Sequence, residues 1–194
     1  MIELPEGVVP NNMIPALIDR GGYQGEVVLL RVDRPGNRYR IAVSLPPIEN
    51  EGLGRVAVSR LLQGKTEGMR IEYQLCGVDQ GSPGLPRVDG GDQSGRNLMI
   101  KGCRLGYAVS EGFWLSIETD GQHYLYNVAE PAATNETGKM TLKLTPPLRK
   151  QPADNDVVHL ARPMIEGAVR GEEASWEMSL AHHVGIQFEI EEVR

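Results

Sequence analysis

The sequence predicts a mainly β protein with one short helix, in which a small β-barrel domain is inserted into a discontinuous first domain. Three observations predict it. The 194 residues include 23 glycines and 13 prolines, so turns are frequent and long helices are disfavoured. Period-two alternation of apolar and polar residues recurs from Glu26 onward, whereas the helical period occurs once, near residues 50–62. The densest strand signal stands mid-chain: Gly112-Phe113-Trp114-Leu115-Ser116-Ile117, then Asp120-Gly121, then His123-Tyr124-Leu125-Tyr126-Asn127-Val128.

Met1 to Gly25, with its Pro, Asn and Gly, is expected to be an arm that docks on something else. Val28, Leu30 and Val32 alternate with Leu29 and Arg31, which reads as a strand buried on both faces. Asp33-Arg34-Pro35-Gly36-Asn37 supplies a turn, because proline presets φ and glycine or asparagine accepts positive φ. Tyr39, Ile41, Val43 and Leu45 then alternate with Arg38, Arg40 and Ser44, so a hairpin is expected, ended by Pro46-Pro47. Leu53, Val56, Ala57, Leu61 and Leu62 share one helical face, with Gly64 at the expected C-terminal cap. Met69, Ile71, Tyr73 and Leu75 form a third strand.

Gly77 to Gly95 is glycine- and aspartate-rich, which places a domain boundary near residue 80. The inserted barrel, residues 81–163, takes strands near Leu98–Lys101, the central hairpin, Met140–Leu144 and Val157–Leu160, and Pro163 closes it. Beyond it, Trp176, Met178 and Leu180, then Val184, Ile186, Phe188 and Ile190, alternate again. A lone hairpin is marginal in water, so these strands must join the N-terminal sheet. Residues 1–80 and 164–194 are thus expected to form one domain.

Length and charge exclude more than they indicate. A chain of this size buries roughly 70% of its unfolded surface and needs no metal or disulfide to fold. A net charge of −6 and a pI near 5.3 argue against a dedicated nucleic-acid surface. Cys76 and Cys103 read as reduced thiols of a protein made in a cytoplasm. The start shows no signal-peptide pattern, and no apolar run nears the ~18 residues that span a bilayer.

Several motifs imitate chemistry. Gly64-Lys65-Thr66 resembles the end of a phosphate-binding loop, but it closes a helix and Ser59 stands where the first glycine belongs. His182 and His183 are adjacent on a strand and point to opposite faces. His123 and His159 have no Cys or carboxylate at ligand spacing beside them. Asp79, Asp89 and Asp92 lack calcium-loop spacing and read as turn residues. No serine lies in G-x-S-x-G, and Glu118 with Asp120 or Glu172 with Glu173 fall where solvated charge is expected. No catalytic residue, metal or cofactor is therefore expected. Arg31, Arg34, Arg38 and Arg40 form a basic patch for which Glu189, Glu191 and Glu192 are natural partners, within one chain or across a subunit interface.

The order of short motifs carries a resemblance. It runs Arg34-Pro35-Gly36-Asn37-Arg38, Leu45-Pro46-Pro47, Gly64-Lys65-Thr66-Glu67-Gly68 and Val88-Asp89-Gly90. It continues through the central Gly112-to-Ile117 run, Thr145-Pro146-Pro147-Leu148-Arg149 and Pro163-Met164-Ile165-Glu166-Gly167. Ser175-Trp176-Glu177 and Ile186-Gln187-Phe188-Glu189 complete it. From about residue 27 the chain resembles the distal tail proteins and small minor tail proteins of long-tailed bacteriophages and prophages.

The resemblance implies a tail-tube-like β domain with an inserted barrel, located in the virion tail tip after assembly in the host cytoplasm. It also implies a ring, commonly hexameric, of copies of the chain between the tail-tube protein and the hub proteins, with DNA only as transiting cargo. A three-fold hub adaptor is the neighbouring possibility within the same assembly. The alternative from the residues themselves is a carbohydrate-binding module, with Trp114, Tyr124 and Tyr126 stacking on a sugar.

Overall fold

The computed structural model describes residues 1–24, 30–32 and 36–193. In chain order the first strands are β1 (Ile2–Glu3), β2 (Asn12–Ile18), β3 (Gly22–Gln24), β4 (Leu30–Val32), β5 (Arg38–Ser44) and β6 (Ile48–Glu49). A π-type turn over Asn50–Gly54 leads into α1 (Arg55–Glu67). There follow β7 (Met69–Glu72), β8 (Gly84–Val88), β9 (Asn97–Cys103), β10 (Ala108–Val109), β11 (Trp114–Thr119) and β12 (Gln122–Val128). The last are β13 (Ala132–Ala133), β14 (Met140–Thr145), β15 (Val157–His159), β16 (Met164–Val169), β17 (Trp176–Met178) and β18 (His183–Glu192).

The chain divides into two compact units, one of Met1–Ile18, Arg38–Gln74 and Ile165–Arg194, the other of Asp19–Asn37 and Leu75–Met164. The second contains a closed barrel, so the architecture is mainly β with one short helix, and in sequence most of the barrel unit falls between segments of the first unit.

In the first unit both ends of the chain share one sheet, with strand order β1-β7-β16-β18-β5-β2. Its inward side chains follow the period-two pattern: Tyr39, Ile41 and Val43 on β5, Met69 and Ile71 on β7, Val184, Ile186 and Ile190 on β18. Helix α1 buries Ala57, Leu61 and Gly64. A Cβ at Gly64 would sit 2.2 Å from Met69 Cγ, so glycine there lets β7 pack against the helix. The helix therefore runs past the expected cap at Gly64 and ends at Gly68, whose φ of 77° suits glycine. The phosphate-loop imitation Gly64-Lys65-Thr66 is its last turn.

The structure corrects two further expectations about the N-terminal part of the chain. The expected docking arm is part of the chain's own sheet over residues 2–18: β2 pairs with β5 along seven residues, Asn12↔Ser44 to Ile18↔Arg38, and β1 runs parallel to β7. The expected 28–45 hairpin is replaced, because β5 lies between β2 and β18, while β4 pairs with β3. Its turn at Asp33, Arg34 and Pro35 and the first part of its outgoing strand lie outside the described residues. Residues 164–169, expected in this domain but given no element, form the strand β16 against the end of β18.

The second unit closes as β11-β12-β14-β9-β8-β15. The central hairpin is as the sequence reads: Asp120 and Gly121 both have positive φ (53° and 75°), the two-residue turn that matches strand twist. Leu115 faces Tyr126 and Ile117 faces Tyr124, and all four lie in a core with Val88, Leu98, Ile100, Leu142, Leu144 and Val158. The boundary comes at Gln74/Leu75, ahead of residue 80, and the glycine-rich loop contains a barrel strand, β8.

Candidate functional site

On the first unit's sheet, the outward residues of β7, β16, β18 and β5 form a row of alternating charge. Arg70 binds Glu166 at 2.6 Å and reaches Glu3 at 3.7 Å. Arg170 Nε donates to Glu191 at 2.8 Å, Arg38 donates to the same carboxylate, and Arg40 lies 3.5 Å from Glu189. Strand register explains the grouping, since Arg40 is the cross-strand partner of Glu191 and Ala168 faces it from the other side. Glu192 points to the opposite, inward face, where it is buried and accepts the Tyr39 N–H at 2.6 Å.

Of the residues read as an interface, Arg38, Arg40, Glu189 and Glu191 are thus paired within one chain, and Glu192 is a buried acceptor. The Arg31 side chain and Arg34 lie outside the described residues.

Hydrogen bonds from Arg170, then Arg38, hold the Glu191 carboxyl below the usual carboxylate range against the opposing effect of burial. Because the folded value is depressed, the stability contributed is complete above the unfolded value and lost as pH falls through the folded one. Urea midpoints followed from neutral to acid pH should fall less steeply in Glu191→Gln than in the parent, the two converging in acid. Parallel curves would show that the pair contributes nothing.

Apolar side chains are exposed at two other places on this unit. Edge strand β2 exposes Ile14 on one face of the sheet and Leu17 on the other. Strand β17 exposes Trp176 and Met178, and Leu180 follows it fully exposed. Trp176 also lines an open groove of about 520 Å³ with Leu45, Pro47, Glu177, Ile186 and Gln187. The two patches are on opposite sides of β18: its residues 184–186 pair with β17 on one side, while β6 and β5, with β2 beyond, take the other.

In the barrel unit, the three aromatic residues proposed to stack on a sugar are separated. Tyr124 and Tyr126 are in the core, where Arg149 lies 5.2 and 5.6 Å from their ring centres. Trp114 alternates away from them, on the face of Ser116 and Glu118. They form no common platform.

The same outer face holds a grouping that sequence spacing does not reveal. Glu118 is directly opposite His123 in the β11–β12 hairpin, and β15 pairs with the other side of β11 so that His159 faces Ser116, diagonal to Glu118. Glu118 Oε2 lies 3.1 Å from His159 Nε2 and 3.9 Å from His123 Nε2, with the imidazole centroids 4.8 Å apart. This corrects the reading that no carboxylate stands beside these histidines. Only the β11–β15 register, spanning some forty residues of chain, brings the third member in.

The other imitative motifs stay structural. Asp79 caps its own turn through the Gly81 N–H at 2.7 Å, Asp89 pairs with Lys139 at 2.8 Å, and Asp92 has positive φ. His183 hydrogen-bonds the Ala181 carbonyl oxygen at 2.7 Å, and His182 sits at positive φ. Cys103 is buried, which pushes its thiol up to about 11, and Cys76 is exposed; both are free thiols.

A residue missed by sequence reading is Gln80, buried at the barrel seam. Its side chain donates to the carbonyls of Trp114 (2.7 Å) and Leu160 and accepts the Trp114 N–H at 2.7 Å. Comparison with known protein families and with curated proteins finds no match to the chain.

Proposed function

We propose that the chain is a structural subunit of a phage tail tip, a distal tail protein whose copies form a ring joining the tail tube to the hub and leaving a passage for DNA. The observation that supports this is that exposed apolar side chains occur at two separate places on the first unit, the free edge at β2 and the β17 region. A closed ring needs two different complementary surfaces on each subunit, since each copy meets its neighbours head to tail. Strand β2 with Ile14 and Leu17, and strand β17 with Trp176 and Met178, are two such surfaces. Contiguous exposed apolar surface, such as Trp176, Met178 and Leu180 supply, marks places where another chain packs, and an uncovered strand edge such as β2 offers backbone groups for pairing.

The self-contained charge row fits the same reading. Its arginines are already neutralised by carboxylates of their own chain, so this face offers little excess positive charge to grip passing phosphates.

The experiment is to label intact tails of the producing phage or prophage with gold-conjugated antibody against the purified chain. Label at the end distal to the head is expected. Tails that contain the chain nowhere, or carry it along the shaft, would overturn the proposal.

A further inference from the structure

We propose that Glu118, His123 and His159 form a binding site for one divalent transition ion of the zinc type, tying three strands of the barrel together. The inference goes beyond the tail-tip reading and does not depend on it. Among the described residues, one group of three such donors converges, and its ligand atoms all lie within 4.8 Å of one another.

The donor set fits. Two imidazole nitrogens and one carboxylate oxygen suit zinc and its first-row neighbours, whereas calcium or magnesium would call for an all-oxygen set. Zinc bonds of about 2.0–2.2 Å in a tetrahedron put neighbouring donors roughly 3.3–3.6 Å apart. The Glu118–His159 separation of 3.1 Å is within a few tenths of an ångström of that. His123 Nε2 is 3.9 Å from Glu118, and the widest separation in the group, up to 4.8 Å, must close by roughly an ångström as an ion is taken up. Three protein ligands leave the fourth position to water.

The surroundings also fit. His123 is only 4% exposed, and Ser116 Oγ lies 3.3 Å from its Nδ1, so the ring presents Nε2 towards Glu118. The same Oγ accepts the Met164 N–H at 3.0 Å, which fixes the serine. Such a partner on the far nitrogen is what orients a ligating histidine. Glu118 and His159 are each about one-third exposed, at 35% and 31%, which gives an ion a way in.

The placement suggests what the ion does. Strand β15 is short and is held by three residue pairs to β11 and one to β8. A metal shared by His159, Glu118 and His123 cross-links β15, β11 and β12 where the barrel closes.

The test uses the full chain stripped with a chelator and titrated with Zn2+ by calorimetry, and separately with Co2+ by visible absorption. One Zn2+ per chain, a higher melting temperature on loading and the bands of a low-coordinate Co2+ site are expected. His159→Ala and Glu118→Gln should each weaken Zn2+ binding by at least about tenfold, and Ser116→Ala by about tenfold because His123 Nδ1 loses the hydroxyl that orients the ring. His123→Ala is the riskier variant because the residue is buried, so the partly exposed His159 and Glu118 keep the test decisive. His182→Ala with His183→Ala should leave the affinity unchanged. No Zn2+ uptake by the folded chain, or uptake that survives His159→Ala and vanishes with the His182/His183 pair, overturns the proposal.

Discussion

Gly167→Ala is expected to cost more than about 3 kcal/mol, a large share of the stability of a domain of ordinary size. A Cβ at this position would lie 2.1 Å from the Glu191 carbonyl oxygen and 2.5 Å from its carbon. Both are backbone atoms of β18, the strand that joins the two ends of the chain, so no side chain can swing aside to make room. The methyl group would force β16 from β18 and break the pairing Gly167↔Glu192, Ala168↔Glu191 and Val169↔Ile190. Two buried groups depend on that pairing: Glu166, which holds Arg70, and Glu191, which holds Arg38 and Arg170. The control is Gly185→Ala on β18, where the added Cβ would meet Glu177 Cβ at an ordinary 3.5 Å. That change should stay within about 1 kcal/mol. Chemical denaturation of the pair checks it, and equal midpoints would contradict the close approach.

Gln80→Leu is the second large effect. The substitution keeps the volume and removes every polar contact of a side chain that is 3% exposed. It removes the three hydrogen bonds that the amide makes with the Trp114 N–H and C=O and the Leu160 C=O. At about 1 kcal/mol for each hydrogen bond lost, a loss on the order of 3 kcal/mol is expected. The position explains why the effect reaches beyond one loop. Trp114 opens β11 and Leu160 follows β15, the two strands whose pairing closes the barrel. Loss of the near-ultraviolet circular dichroism of Trp114 should accompany the fall in midpoint. A variant as stable as the parent would mean that the seam is held elsewhere.

How much of this was legible in the sequence depends on the range of the contacts. The β11–β12 hairpin was, because alternation and an Asp-Gly turn are local signals that agree with each other. Strand β18 was as well, and its period puts Glu192 on the inward face with Ile186 and Ile190, away from the arginines for which its charge suggested it as a partner. Strand β8 was missed because only Pro86 and Val88 of its five residues are buried, between glycine-rich turns. The partner of β5 was misassigned since local order favours a hairpin with the preceding strand, whereas tertiary packing gave that place to residues 12–18. The Glu118–His123–His159 grouping rests on one long-range register, which no spacing rule encodes. Gln80 gave no signal at all: one polar residue in a polar loop becomes central only when β11 and β15 meet beside it.

The tail-tip account requires that copies of this chain associate through Ile14 and Leu17 on one side and the β17 region on the other. The most direct measurement is the molar mass of the purified chain by light scattering across a concentration series, with Ile14→Glu/Leu17→Glu measured alongside. A single closed multiple of the 21.3 kDa chain mass is expected, falling to one chain mass in the folded double variant. A parent that stays at 21.3 kDa at every concentration, or a double variant that assembles as the parent does, would contradict it.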